Sequence, residues 1–497
     1  MTLSKYTELA PGLTISRALT GLWQIADLER DGTKVNALEA AKSMKAYVDA
    51  GFTTFDMADH YGSSEEITGV FRDTYGTAGT QFFTKWVPSP GKITAAQVRE
   101  AVEKAMRRMK TERIDLMQFH AWQYAHPSWV DCLFWLQELK QEGLIGHLGL
   151  TNFDTAHLQI VVNSGIDVVS NQVCYSLLDQ RAAGEMTSLC LKHGVKLLAF
   201  GTVAGGFLSE KWLGKPEPVL NESLTWSQMK YKRFIDAAGG WEIFQNLLQT
   251  LQPIAQKHGV GIATLASHYM LSQPAVAGVI IGARLGQSQH VAENERLFSI
   301  QLDAADQSKI QNALSSLQKI SGDCGDEYRK APFLTASGDL SHHIDTLPSP
   351  YPTVEGADGR IKALSGTIWE DIAGFSRAVR KGNHILVSGT TATHGAIRMG
   401  GDDPAAQMHF IIDKVEGAIR ALGGSLEDVV RTRIFVQRES DWEAISRAHG
   451  QRFAGIQPAN TLVQATLIGE GYLVEMHRCP AFLGSTLEAN YSSKQVT

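Results

Sequence analysis

Up to about residue 283 the chain alternates short apolar runs with segments whose apolar positions recur at helical spacing. The runs lie at 19–23, 53–58, 82–86, 114–120, 147–152, 168–175, 195–200 and 277–283. Most are almost continuously apolar, which is what parallel strands covered on both faces require. Between them, 94–109 places Ala96, Val98, Val102, Ala105 and Met106 near helical spacing, with Glu100, Glu103, Arg107 and Arg108 interleaved. The segment 129–142 does the same with Leu133, Trp135, Leu136 and Leu139. Eight strands, each followed by helix or loop, predict an α/β fold of the (β/α)8 TIM-barrel type. A doubly wound sheet is the competitor. It loses ground because no G-x-G-x-x-G follows any of the runs.

Beyond about residue 320 the rhythm changes. The stretch 321–366 has no sustained period and holds Pro332, Pro348, Pro350 and Pro352. It is expected to be a barrel tail grading into a linker over 346–364. A different pattern then begins. A strand is expected at 384–388. An amphipathic helix follows at 407–422, with Met408, Ile411, Ile412, Val415, Ile419 and Leu422 on one side and Gly423-Gly424 at its stop. Further strands are expected at 429–436, 461–467 and 471–476, and a helix at 441–453. The chain therefore divides into a barrel over 1–345, the linker, a small α+β domain over 365–485 and a tail over 486–497.

Composition sets outer limits. The 497 residues carry 46 Lys and Arg against 52 Asp and Glu, a formal charge of −6, which argues against a dedicated nucleic-acid binder. Residues 1–13 lack a basic segment followed by an apolar run, and no stretch approaches the roughly 18 apolar residues of a membrane span. A cytoplasmic protein without membrane partners is expected. Cys132, Cys174, Cys190, Cys324 and Cys479 form no CxxC pair and suit buried thiols in a reducing compartment.

The chemistry sits at strand ends, which in a barrel point into one mouth. Reading them gives Asp56, Tyr61 five residues later, Lys85 and His120. A free tyrosine has a pKa near ~10 and is a poor acid–base group at neutrality. A neighbouring ammonium stabilises the phenolate, and a carboxylate holds the ammonium in place. Such a set suits proton transfer to a developing alkoxide.

The motifs GFTTFDMADHYG, the strand-borne Lys85, DLMQFH, LGLTNF and NQVCYS resemble the aldo-keto reductase superfamily over roughly residues 13–343. The resemblance implies direct transfer of a hydride from a nicotinamide to a small carbonyl substrate, with no metal. Tyr61 would be general acid, Lys85 and Asp56 would tune it, and His120 would orient the carbonyl. It also implies that Thr151, Asn152 and Gln172 hold the carboxamide and that Phe200 stacks on the ring. The pyrophosphate would run along Gly201, Gly205 and Gly206. IIGARLGQSQHVAEN matches the adenosine-end segment, so Arg284 would meet a 2′-phosphate and Glu293 and Asn294 the adenine. NADPH is the implied cofactor. NADH stays open, because Leu285 stands where a hydroxyl residue is frequent and His290 where an arginine is common. Trp23, Trp86 and Trp122 adjoin strand ends and are candidates to wall an apolar substrate pocket.

GNHILVSGTTA, ALGGSLEDVVRTRIFV and QPANTLV resemble the RidA/YjgF family, whose fold is chorismate-mutase-like. That family forms trimers, and its active members hydrolyse enamines and imines with an arginine that grips the substrate carboxylate. Asn460 replaces that arginine and cannot supply its charged fork. The late acidic position is His477, with Glu475 two residues away. The implied role is to make the protein a homotrimer. Alternatives are an imine- or enamine-processing module coupled to the reductase, an uncharged ligand held by Asn460 and Glu475, and a redox-sensing barrel with little turnover.

Overall fold

In the computed structural model, which describes residues 3–77, 79–477 and 481–482, the first part of the chain closes as a barrel. Its strands are β1 (Ala18–Gly21), β2 (Thr54–Asp56), β3 (Gln81–Trp86), β4 (Ile114–Phe119), β5 (Ile145–Thr151), β6 (Val168–Cys174), β7 (Lys196–Phe200) and β8 (Val276–Gly282). All pair in parallel around the ring, and β8 closes onto β1 from Val279–Ala18 to Gly282–Gly21. The hairpin Tyr6–Ala10/Leu13–Ser16 packs Leu9, Leu13 and Ile15 against Leu19, Phe83, Leu116 and Leu198 from the strands. The barrel is therefore a packed core, not a pore.

The helices that matter below are α1 (Ala95–Met109), α2 (Ser128–Gln141), α3 (Thr155–Asn163), α4 (Trp226–Ala237) and the short α5 (Asp326–Arg329). In α1, Thr94 and Gln97 form a capping box, Val98, Val102, Ala105 and Met109 are buried, and left-handed Lys110 ends the helix. These bounds lie within a few residues of the sequence expectations.

The C-terminal part has two larger sheets and a two-stranded ribbon of Thr393–His394 against Ile397–Arg398. β9 (Thr353–Glu355), β10 (Arg360–Ala363), β11 (Ala378–Lys381) and β12 (His384–Val387) form an antiparallel sheet that ends on β16 (Ala481–Phe482). β13 (Arg431–Val436) pairs in parallel with β14 (Ala459–Gln464) and antiparallel with β15 (Val474–His477). A Thr390–Met476 bridge joins the two sheets. α6 (Pro404–Ala421) and α7 (Trp442–Phe453) complete the domain. The expectation of a linker over 346–364 is corrected from residue 353 onward, where β9 and β10 are strands of the sheet. They read Thr-Val-Glu and Arg-Ile-Lys-Ala with only Ala363 buried, so backbone pairing makes these strands without an apolar run to announce them. Cys479 and the 486–497 tail lie outside the described residues.

α6 starts earlier than expected, with Asp403 accepting from the Ala406 amide and Pro404 opening the helix. Every residue from Ala406 to Asp413 is buried. A one-sided amphipathic helix would leave some of these wet, but α6 is covered on its second side by barrel helix α3. Gly417 packs against the loop before α2, where a Cβ would lie 2.5 Å from the Ala125 carbonyl. Among the described residues no helix is long and apolar enough to cross a membrane.

Candidate active site

A cavity of about 630 Å³ opens at the mouth of the barrel. Asp56, Tyr61, Lys85 and His120 all line it, because each sits at or just past a strand end. Lys85 Nζ donates to Asp56 Oδ2 at 2.7 Å and to the Met57 carbonyl at 2.7 Å. Asp56 Oδ1 accepts from Gln172 Nε2 at 2.7 Å and Gln118 Nε2 at 3.0 Å. Both ions are almost fully buried. The ammonium lies 4.8 Å from the centre of the Tyr61 ring.

The ammonium does not lower the Tyr61 pKa as expected. Burial, reinforced by the Asp56 carboxylate, holds the phenol well above its usual value. Tyr61 is therefore protonated at neutrality, the state a proton donor needs. Burial pulls Lys85 down, with Asp56 opposing it. His120 is buried and held well below its usual pKa, first by desolvation and then by Arg329, so its imidazole is neutral. Its Nδ1 lies 3.3 Å from the Thr151 carbonyl, which can only accept, so the ring proton is assigned to Nδ1. Nε2 is left as an unpartnered acceptor in a residue that lines the cavity, so in this tautomer it cannot donate to a carbonyl oxygen, which corrects the expected orienting bond.

The expected cofactor residues Thr151, Asn152, Gln172, Phe200, Gly201, Arg284, Glu293 and Asn294 line the same cavity. Asn152 has a left-handed backbone, φ 58°, and its buried Oδ1 has no partner. Both Gln172 amide protons are taken, by Asp56 and by Gln118 Oε1 at 3.0 Å. That leaves two carbonyl oxygens with acceptor capacity, from Asn152 and Gln172, a pair that fits the NH2 of a carboxamide. Gly201, at φ 79°, has no room for a side chain, because a Cβ would meet Tyr231 Oη at 2.4 Å. Arg284, expected to meet a 2′-phosphate, already has an anionic partner. Its Nη2 pairs with Asp27 Oδ2 at 2.6 Å.

Of the three tryptophans, Trp23 and Trp122 line the cavity and Trp86 does not. Trp23 meets the Tyr61 ring edge-on at 5.0 Å. Side chains alternate along a strand, so once Lys85 points into the mouth, Trp86 points out and packs on Phe119. Several lining residues were not anticipated: Trp226 and Lys230 on α4, Tyr328 on α5, and Thr335, Ser337 and Gly338 beyond it. His343 packs on Trp122 with ring centres 4.3 Å apart and planes tilted by 39°. Most of these come from the tail after residue 320, where the chain has no period to read.

In the C-terminal domain, Asn460 is exposed and its Oδ1 accepts from Thr432 Oγ1 at 3.2 Å. Asn460 pairs with Thr432 on β13 and Glu475 with Phe435. The two positions are three residues apart on β13, roughly 10 Å along the strand, and on opposite faces of the sheet. Within one chain they cannot grip one ligand, which corrects that reading. His477 shares the Glu475 face, and its buried Nδ1 has no partner.

Comparison with known proteins agrees with this architecture. The family model for the aldo/keto reductase family matches residues 19–315, and the model described as Endoribonuclease L-PSP, the RidA group, matches 368–480. The uncharacterized oxidoreductase YqkF of Bacillus subtilis is 28% identical over 289 residues, covering 55% of this chain and 88% of the relative. Aldo-keto reductase YhdN of the same organism is 24% identical over 343 residues, covering 66% and 98%. The glycerol dehydrogenase AKR11B4 of Gluconobacter oxydans shares the fold, with TM-score 0.53 at 21% identity over 63% of this chain and 95% of that one. The fold and mouth define an oxidoreductase class that uses a nicotinamide cofactor on small carbonyl compounds. This chain belongs to the aldo/keto reductase family and carries a RidA-like domain behind the barrel.

Proposed function

We propose that the barrel reduces an aldehyde or ketone, with Tyr61 delivering the proton to the carbonyl oxygen. The observation that carries this reading is the buried Lys85–Asp56 pair set against a protonated Tyr61 in the same mouth as the open Nε2 of His120. When bound, the reduced nicotinamide supplies the hydride to the carbonyl carbon. Asn152 and Gln172 hold its carboxamide beside Thr151, Phe200 offers an aromatic face, and Gly201 admits the backbone close to the ligand. Arg284, Glu293 and Asn294 take the adenosine end.

As negative charge grows on the substrate oxygen, Tyr61 gives up its proton and the Lys85 ammonium stabilises the phenolate left behind. Asp56 keeps that ammonium in place. His120 Nε2, an acceptor in this tautomer, takes a hydrogen bond from the new hydroxyl. NADPH is the favoured cofactor through Arg284, although Arg284 must exchange Asp27 for a phosphate. NADH therefore remains a competent partner.

Tyr61→Phe removes only the donor. Oxidation of NADPH by a panel of aldehydes and ketones should fall by about 10²–10⁴-fold, while the cofactor Kd from fluorescence titration stays within about twofold. A wild-type protein that binds cofactor tightly but turns over none of the panel would favour a redox-sensing role instead. For the C-terminal domain we infer assembly and not imine hydrolysis, because Asn460 lacks the required charge and sits apart from Glu475. Light scattering on the full chain should give the mass of a trimer. The mass of a monomer removes this reading.

A further inference from the structure

One cation in the mouth has no place in the reaction just described. Lys230 on α4 lines the cavity, and its ammonium is held among aromatic rings: 4.5 Å from the Tyr328 centre, 4.8 Å from Phe200, 5.4 Å from Tyr231 and 5.7 Å from Phe234. It donates one hydrogen bond, to Tyr328 Oη at 2.5 Å. Ring faces attract the charge but cannot accept all three N–H groups in good geometry. The acidic neighbours that act on it electrostatically, Glu327 and Asp179, are both taken by Arg181, at 2.8 and 2.7 Å. Burial accordingly pulls the lysine below its usual pKa, and burial also keeps the Tyr328 phenol protonated.

The pair presents two donors to one point. Tyr328 Oη accepts from Lys230, which leaves its own O–H free to donate beside the remaining ammonium protons. An acceptor with two oxygens and a negative charge matches that arrangement, and a carboxylate is the small group that has both. The location points to substrate and not to the far end of the cofactor. The Tyr328 ring is 6.0 Å from the His120 ring and acts electrostatically on Tyr61, whereas Arg284, Glu293 and Asn294 follow β8.

We propose that Lys230 and Tyr328 form a carboxylate-binding subsite, so that the compounds reduced here carry a carboxylate near the reacting carbonyl. This rests on the reductase reading above. The burial of an unpaired ammonium is costly, and an incoming anion relieves that cost only when it brings its charge into the same dry site. Specificity then comes from the tail after residue 320, which supplies Tyr328, together with α4.

The test compares 4-carboxybenzaldehyde with its methyl ester as substrates of the full-length wild type, Lys230→Met, Lys230→Arg and Tyr328→Phe. Terephthalate binding to the NADP⁺-loaded protein is measured by calorimetry, and the NADPH Kd by fluorescence. The wild type should favour the acid over the ester in kcat/KM by at least about tenfold. Lys230→Met should abolish that preference and weaken terephthalate about tenfold, Lys230→Arg should keep most of both, and Tyr328→Phe should lose part of both. An acid-to-ester ratio equal in wild type and Lys230→Met overturns the proposal. A Lys230→Met variant that loses NADPH affinity with the ratio intact also overturns it, because the cofactor phosphates then own the lysine. Should neither aldehyde react while NADPH binds, the reductase reading fails on its own. Terephthalate binding then decides the subsite: loss in Lys230→Met upholds it, and no change rejects it.

Discussion

Two buried charge clusters in this chain are built from similar parts and differ in one respect. At the barrel mouth, Lys85 and Asp56 pair beside Tyr61 and face a cavity. At the seam between the domains, His157 of α3 lies between two carboxylates. Its Nδ1 is 2.5 Å from Asp154 Oδ1, and its Nε2 is 3.0 Å from Asp413 Oδ2 on α6. Arg452 of α7 adds a 2.7 Å bond to Asp413 and a 3.3 Å bond to Glu416. The Tyr124 ring covers the imidazole at 3.3 Å, nearly parallel. Carboxylates only accept, so both ring nitrogens of His157 carry protons. At the seam each ion faces a protein partner, and the unpartnered Tyr124 Oη and His409 Nδ1 are buried away from the barrel cavity, whereas the unpartnered atoms of His120 and Asn152 belong to residues that line it. A closed cluster specifies how two domains dock. An open one has capacity left for a ligand.

That contrast is tested first at the mouth. Lys85→Met should cut reduction by about 10²–10⁴-fold, measured as kcat on a reactive aldehyde. Its unfolding free energy should change less than that of the seam variant below, because Asp56 keeps its bonds from Gln118 and Gln172. If Lys85→Met proves the more destabilising of the two, the distinction between open and closed clusters fails.

The seam should answer in stability. Asp413→Ala leaves His157 with Asp154 and Arg452 with Glu416, but removes the carboxylate that ties both buried cations across the seam, and should lower stability by about 3 kcal/mol in urea unfolding. A smaller and more diagnostic effect is pH dependence. Burial opposes protonation of His157, but Asp154 and Asp413 outweigh it and raise the pKa above the usual ~6.5. A raised folded pKa gives stability that is complete below ~6.5 and is lost as pH climbs through the folded value. Asp413 is shifted the other way. Burial opposes ionisation, yet His157 and Arg452 hold its pKa below ~3.8, so its share is lost only in acid, as pH falls through the lowered value. The urea midpoint should therefore decline from pH 6 to pH 9 in the wild type, and the decline should shrink in Asp413→Ala. Equal slopes in the two proteins would remove His157 from the account.

The parts legible from sequence and the parts that were not divide along physical lines. Barrel strands buried on both faces must be apolar throughout, so all eight announced themselves. Asp56, Lys85 and His120 stood out as polar breaks at the ends of such runs. β9 and β10 did not, because an exposed strand held by backbone pairing needs no particular side chains. Trp86 was misplaced for want of strand parity, and Asn460 and Glu475 for want of register. Lys230 and Tyr328 carried no signal at all. One lies on a helix whose polar residues resemble any solvated face, and the other lies in a tail without period.

By itself the sequence determined what local pattern can encode: a (β/α)8 barrel, a second small α+β domain, and a tetrad at strand ends. Tertiary structure alone decided what depends on neighbours distant along the chain. It paired Arg284 with Asp27, held Tyr61 as a neutral phenol, buried α6 on two sides, and brought Lys230 to Tyr328. Desolvation and charge pairing depend on where the chain returns to itself, and no local pattern carries that information.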